Sequence, residues 1–168
     1  MFNTKRDAEQ FLSSLGMEDL PLESCPCVPK PLSADWFARF RKERAAFMES
    51  LGDSIPELAL LNLSQDVFID LLTGKALPEN LTIKFRRPIL YGGEISAGNM
   101  FMMPLFPPGF NLDIFMALQT GQGEIWYPNP AKKVYVSVNM LTGSEGGNAT
   151  ADRLAQGFAA AQMSQGRE

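Results

Sequence analysis

Leu81-Thr82-Ile83-Lys84-Phe85-Arg86 alternates apolar and polar side chains one for one. Successive side chains of a strand point to opposite faces, so this stretch reads as a strand with one dry and one wet face. Before it, apolar residues recur every three or four positions, as they do along a helix. After it, the period of two returns. Helices grouped ahead of consecutive strands with short connections indicate an α+β fold with an antiparallel sheet, rather than alternating β-α units.

On the N-terminal side, Thr4 followed by Asp7 has the spacing of a weak capping box, and Ala8, Phe11, Leu12 and Leu15 recur at helical spacing up to Gly16. Residues 17–32 hold Pro21, Pro26, Pro29 and Pro31. Proline lacks an amide hydrogen and restricts its predecessor, so an extended, irregular surface crossing is expected there. Ser33 is placed to cap a second helix reaching Leu51, buried through Trp36, Phe40, Phe47 and Leu51 and ended by Gly52. Ser54-Ile55-Pro56-Glu57 is a full capping-box spacing with proline in the first turn, opening a short helix to about residue 61. Ser64 caps another over residues 65–73, closed by Gly74.

On the C-terminal side, Leu112, Ile114, Met116 and Leu118 repeat the period of two. Thr120-Gly121-Gln122-Gly123 supplies turn residues, and residues 124–127 would return antiparallel to complete a hairpin. Val134, Val136 and Val138 suggest a further strand, and Thr150 is placed to cap a last helix carrying Leu154, Phe158 and Ala161. The expected architecture is N-terminal helices, then an antiparallel sheet of about four strands, then a C-terminal helix. It forms one domain over residues 1–168: mainly helical over 1–74, β-rich over 80–140, and helical again over 149–164.

Length and composition agree with that expectation. A chain of 168 residues, 45% hydrophobic and 20% charged, buries enough surface to fold without disulfides or metals. Its formal net charge is −4. Nucleic-acid binding takes most of its affinity from a surplus of Lys and Arg, so the balance argues against a nucleic-acid partner and against an anionic membrane. No apolar run approaches the ~18 residues of a spanning helix, and the charged stretch after Met1 does not resemble a signal peptide. A cytoplasmic location is the expectation.

The chain contains no histidine. That excludes a Ser-His-Asp triad, a Cys-His dyad and every histidine metal site, while carboxylate, lysine and tyrosine chemistry stay open. Cys25-Pro26-Cys27 supplies two of the four ligands zinc requires, and the rest would have to come from a second copy. The pair reads as two reduced thiols on a proline-rich connector, with no metal. Gly143-Ser144-Glu145-Gly146-Gly147 sits in the strand-to-helix context that binds phosphate, but it lacks the Lys-Ser/Thr of a P-loop and places Glu145 against an anion. It reads as a connector, and no cofactor is expected. Arg39, Arg41, Lys42 and Arg44 form a basic run that reads as a solvated helix face, with a docking surface for an acidic partner as the alternative. Residues 63–78 resemble, over about a tenth of the chain, the last part of a repressor-type helix-turn-helix. Asp66 and Asp70 on its would-be recognition helix carry the wrong sign for phosphates, which excludes that role.

The most unusual stretch follows Tyr91 and runs through Met100-Phe101-Met102-Met103-Pro104-Leu105-Phe106-Pro107-Pro108-Gly109-Phe110. It is densely apolar, yet its prolines forbid a helix through the middle. Either it fills the core or it forms an interface with another surface. The interface reading assigns partner contacts to Met100, Met102, Met103, Phe106 and Phe110, extended by Trp126 and Tyr127. The expected function is then non-catalytic: an adaptor, chaperone or immunity-like inhibitor that binds another protein or itself as a homo-oligomer. The alternatives are a structural subunit of a phage or mobile-element particle, and a small phosphate-ligand binder or carboxylate-based enzyme.

Overall fold

A computed structural model describes residues 2–136. Five α-helices and four strands follow in the order α1 (Lys5–Ser14), β1 (Leu22–Pro26), α2 (Trp36–Glu49), α3 (Ile55–Ala59), α4 (Gln65–Leu72), β2 (Leu81–Phe85), β3 (Met100–Pro104), α5 (Phe110–Ala117) and β4 (Glu124–Pro128). The fold is mixed α+β with small antiparallel sheets. The C-terminal helix expected over 149–164, the Gly143 to Gly147 connector and Val138 lie outside the described residues.

Local chemistry accounts for the helix starts. The Thr4 hydroxyl accepts the Asp7 amide at 3.1 Å and opens α1, whose buried face is Ala8 and Leu12. Gly16, with φ of +81°, turns the chain out of the helix. Ser64 caps α4 by accepting from the Val67 amide, and Gly74 at φ +73° ends that turn. Ser54 precedes α3 as expected, but its hydroxyl bonds Asp53 rather than the helix amides. α2 begins at Trp36, two residues later than a Ser33 cap would start it, and Ser33 serves only through its carbonyl.

The central element is the β2–β3 ribbon, in which Ile83 pairs with Met102 and Phe85 with Met100. Every residue of β3 is buried. Its alternating side chains feed two separate cores. Met100 and Met102 join Phe47, Leu51, Leu58, Leu71 and Leu81 beneath α2, α3 and α4. Phe101 and Met103 point the other way, against Phe2, Leu12, Leu22, Leu112 and Phe115. A helical layer on each face of a short ribbon explains why the run Met100-Phe101-Met102-Met103 shows no alternation: neither face is wet.

Three expectations are corrected. Residues 112–118 are not a strand: Phe110–Ala117 is the helix α5. It is packed on most sides, with Asn111, Leu112, Ile114 and Phe115 all buried, so its pattern has no clean amphipathic stripe to reveal the helical period. Residues 17–32 are not wholly irregular, because β1 pairs antiparallel with β4, Cys25 facing Ile125. Pro21 lies just before that strand and Pro26 ends it, the positions where a missing amide is harmless. Among the described residues there is thus no single four-stranded sheet. β1–β4 and β2–β3 are separate two-stranded ribbons, and Val134 adds only one parallel bridge to Met102.

Two side chains tie the layers together. Arg86 lies over the Phe101 ring and donates to Asn129 Oδ1 and to the Pro130 and Lys132 carbonyls, strapping the loop after β4 onto the ribbon. Gln119 is fully buried at the end of α5. Its Oε1 accepts the Trp126 amide at 2.6 Å and its Nε2 donates to the Trp126 carbonyl at 2.9 Å.

Candidate functional site

The residues expected to meet a partner separate into two groups. Met100, Met102 and Met103 are buried in the two cores, so the expectation that they form a contact surface is corrected: the ribbon seals them between layers. Tyr127 is also buried, in the small cluster with Cys25 and Ile125, and its hydroxyl donates to Glu23 Oε2 at 3.0 Å. Trp126 is half-buried against the α1–α5 core. Phe106 alone stands open, at 60% exposure, beside the exposed Leu105 and the half-buried Phe110, whose ring centroid is 6.1 Å away.

The exposed turn is held firmly from both ends. Pro104 closes the buried strand β3, and Pro108 and Gly109 are buried at the entry to α5. The Leu105 amide donates to Asn80 at 2.8 Å. A Cβ at Gly109 would lie 2.9 Å from both the Pro104 carbonyl oxygen and Thr82 Cγ2, so the turn is packed too tightly for any larger residue there. An apolar tip on a fixed base loses little entropy when it docks.

A second exposed face lies on α2. Trp36 and Phe40 are only half-buried and Phe37 is 54% exposed, so the first turns of this helix stand clear of the core that its last turns enter through Phe47 and Met48. Arg41 sits 6.0 Å from the Phe37 ring centroid and Arg44 sits 5.7 Å from that of Phe40. No carboxylate of the described residues forms an ion pair with Arg39, Arg41, Lys42 or Arg44. Glu43 and Glu49, on the same helix, do not pair with them. Glu43 Oε2 accepts the Ala97 amide and Glu49 packs on the Gly74 turn.

An apolar groove of about 410 Å³ runs between β2 and α5, lined by Ile83, Phe85, Leu90, Leu112 and Met116, with the Lys84–Asp113 ion pair on its rim. That pairing occupies the lysine, and the groove offers shape and apolar contact rather than a free nucleophile.

Cys25 and Cys27 are both free. Burial pushes the Cys25 thiol above its ordinary range, although Arg87 opposes the shift. Burial also raises the Tyr91 phenol, helped by a hydrogen bond to Cys27. A buried thiol with raised pKa is a poor nucleophile at neutral pH. Among the described residues no group of three or more Cys, Asp or Glu side chains is arranged to hold a metal. No described helix is long and apolar enough to cross a membrane.

No protein-family model, curated protein or solved structure matches this chain.

Proposed function

We propose that the protein is a non-catalytic protein-binding module that inserts the Leu105–Phe106 tip into an apolar pocket of another chain. The observation that carries this reading is the contrast along one short segment. Phe106 is 60% exposed while the strand before it and the helix after it are anchored in the core. Burying a phenylalanine side chain is worth about 1.5–3 kcal/mol, and a rigid base spares the ordering cost that a floppy loop would incur. The raised Cys25 thiol and the ion-paired Lys84 agree with a role in contact rather than in bond making.

A photo-crosslinking amino acid at position 106, introduced in the native cell, tests the reading. Transfer to one defined protein, which includes a second copy of this chain, supports it. The control position is Ile69, which is also exposed but lies on α4. Equal labelling from positions 106 and 69, or none from 106, would reject the reading.

A further inference from the structure

α2 and residues 74–77 enclose a groove of about 440 Å³ that the Phe106 tip does not explain. Between its charged side chains it is lined by Ala45, Ala76 and Leu77, over the almost fully buried Met48. Its rim is cationic: Arg41, Lys42 and Arg44 from the helix, and Lys75 from the opposite wall, 4.0 Å from Asp70. Arg44 Nε is buried there with no hydrogen-bond acceptor among the described residues. A buried guanidinium donor with no acceptor costs free energy until an oxygen reaches it. The chain carries 19 acidic residues against 15 basic ones, yet none of those acids pairs with the α2 cations among the described residues.

We infer that this groove is a docking site for an acidic peptide segment of a partner protein, one that places carboxylates on the Arg41–Lys42–Arg44–Lys75 rim and an apolar side chain against Ala76 and Leu77. Charge complementarity selects the carboxylates, and a guanidinium meets a carboxylate through two parallel hydrogen bonds. Ala76, Leu77 and the exposed Phe37 give a peptide's apolar side chains contacts that the phosphates driving nucleic-acid affinity would not use. Phe37, exposed beside Arg41, extends the apolar contact along the helix. The site uses none of the residues of the 105–110 turn, so the two surfaces succeed or fail separately.

Fluorescence anisotropy of the full chain with a short labelled peptide of alternating glutamate and leucine tests this inference. Saturable binding is expected, with a loss of about tenfold in the double variant Arg41→Glu, Lys42→Glu, a fold-change typical of reversing charges at an interface. The charge-matched control is Lys5→Glu, Arg6→Glu on α1, which should bind as the parent does. Phe37→Ala, at an exposed position, gives a second variant free of charge effects and should weaken the same peptide severalfold. Circular dichroism establishes that each variant is folded. No saturable binding, equal losses in the α1 and α2 variants, or tighter binding of single-stranded oligothymidylate through the same cations would each overturn the inference.

Discussion

Met102 and Phe106 are separated by three residues of one apolar segment, yet Met102 is completely buried between two layers and Phe106 is 60% exposed. Met102 also sits at the crossing of the ribbon and the chain after β4. Its amide donates to Lys133 at 2.7 Å and its carbonyl accepts from Tyr135 at 2.8 Å. The same run of sequence therefore holds a core residue and a surface tip. Met102→Ala is expected to cost about 2–5 kcal/mol, the range for emptying a buried aliphatic site. Phe106→Glu should change stability by no more than about 0.5 kcal/mol. Urea denaturation of both variants checks the contrast, and an unfolded Phe106→Glu protein would contradict the exposed tip.

Gln119 supplies both hydrogen bonds that β4 would otherwise seek from a neighbouring strand at Trp126. Gln119→Leu keeps the volume but strands the Trp126 amide and carbonyl, so a loss of roughly 2 kcal/mol is expected. Hydrogen exchange gives a sharper reading than stability alone: the Trp126 amide should exchange markedly faster in the variant, while β2–β3 amides keep their relative protection. Unchanged exchange at Trp126 would contradict the role assigned to the carboxamide.

The three tyrosines share one response to alkali. Burial raises Tyr91, Tyr127 and Tyr135 above the ordinary value of 10.0, and Tyr135 is raised most, with its hydroxyl donating to the Glu18 carbonyl at 2.6 Å. Well below pH 10 both folded and unfolded chains carry neutral phenols, so the contribution is fully present. Above it the unfolded chain ionises first and binds fewer protons than the native state, so stability falls as pH rises. Denaturation midpoints should be level up to about pH 9 and decline beyond pH 10. Tyr135→Phe should flatten that decline, while costing about 1 kcal/mol at neutral pH for the lost hydrogen bond. An equally steep alkaline slope in Tyr135→Phe would assign the effect to other groups.

Gly93 tests the turn that links the ribbon strands. Its amide donates to the Pro88 carbonyl at 2.9 Å, and a Cβ there would fall 1.9 Å from the Arg87 carbonyl oxygen. Backbone cannot swing aside as a flexible side chain can, so Gly93→Ala should destabilise by about 3 kcal/mol, the upper end of overpacking penalties. Gly98, with open space around its Cβ position, is the control and should accept alanine at little cost. Thermal unfolding of the pair distinguishes them.

The sequence by itself determined the local events: the Thr4 and Ser64 caps, the stops at Gly16 and Gly74, the period-two strand at Leu81, and the mixed α+β class. Each depends on a few neighbouring residues, so each is written in the chain. Tertiary structure alone decided which apolar residues are wet. The helix over residues 110–117 is hidden in the sequence because packing on most sides removes the stripe that marks one, and β3 shows no alternation because helices cover both faces. The same cause governs the candidate surfaces. Phe37 and Phe106 are chemically no different from the buried Phe47 and Phe101, and only the placement of distant layers leaves the first two in water.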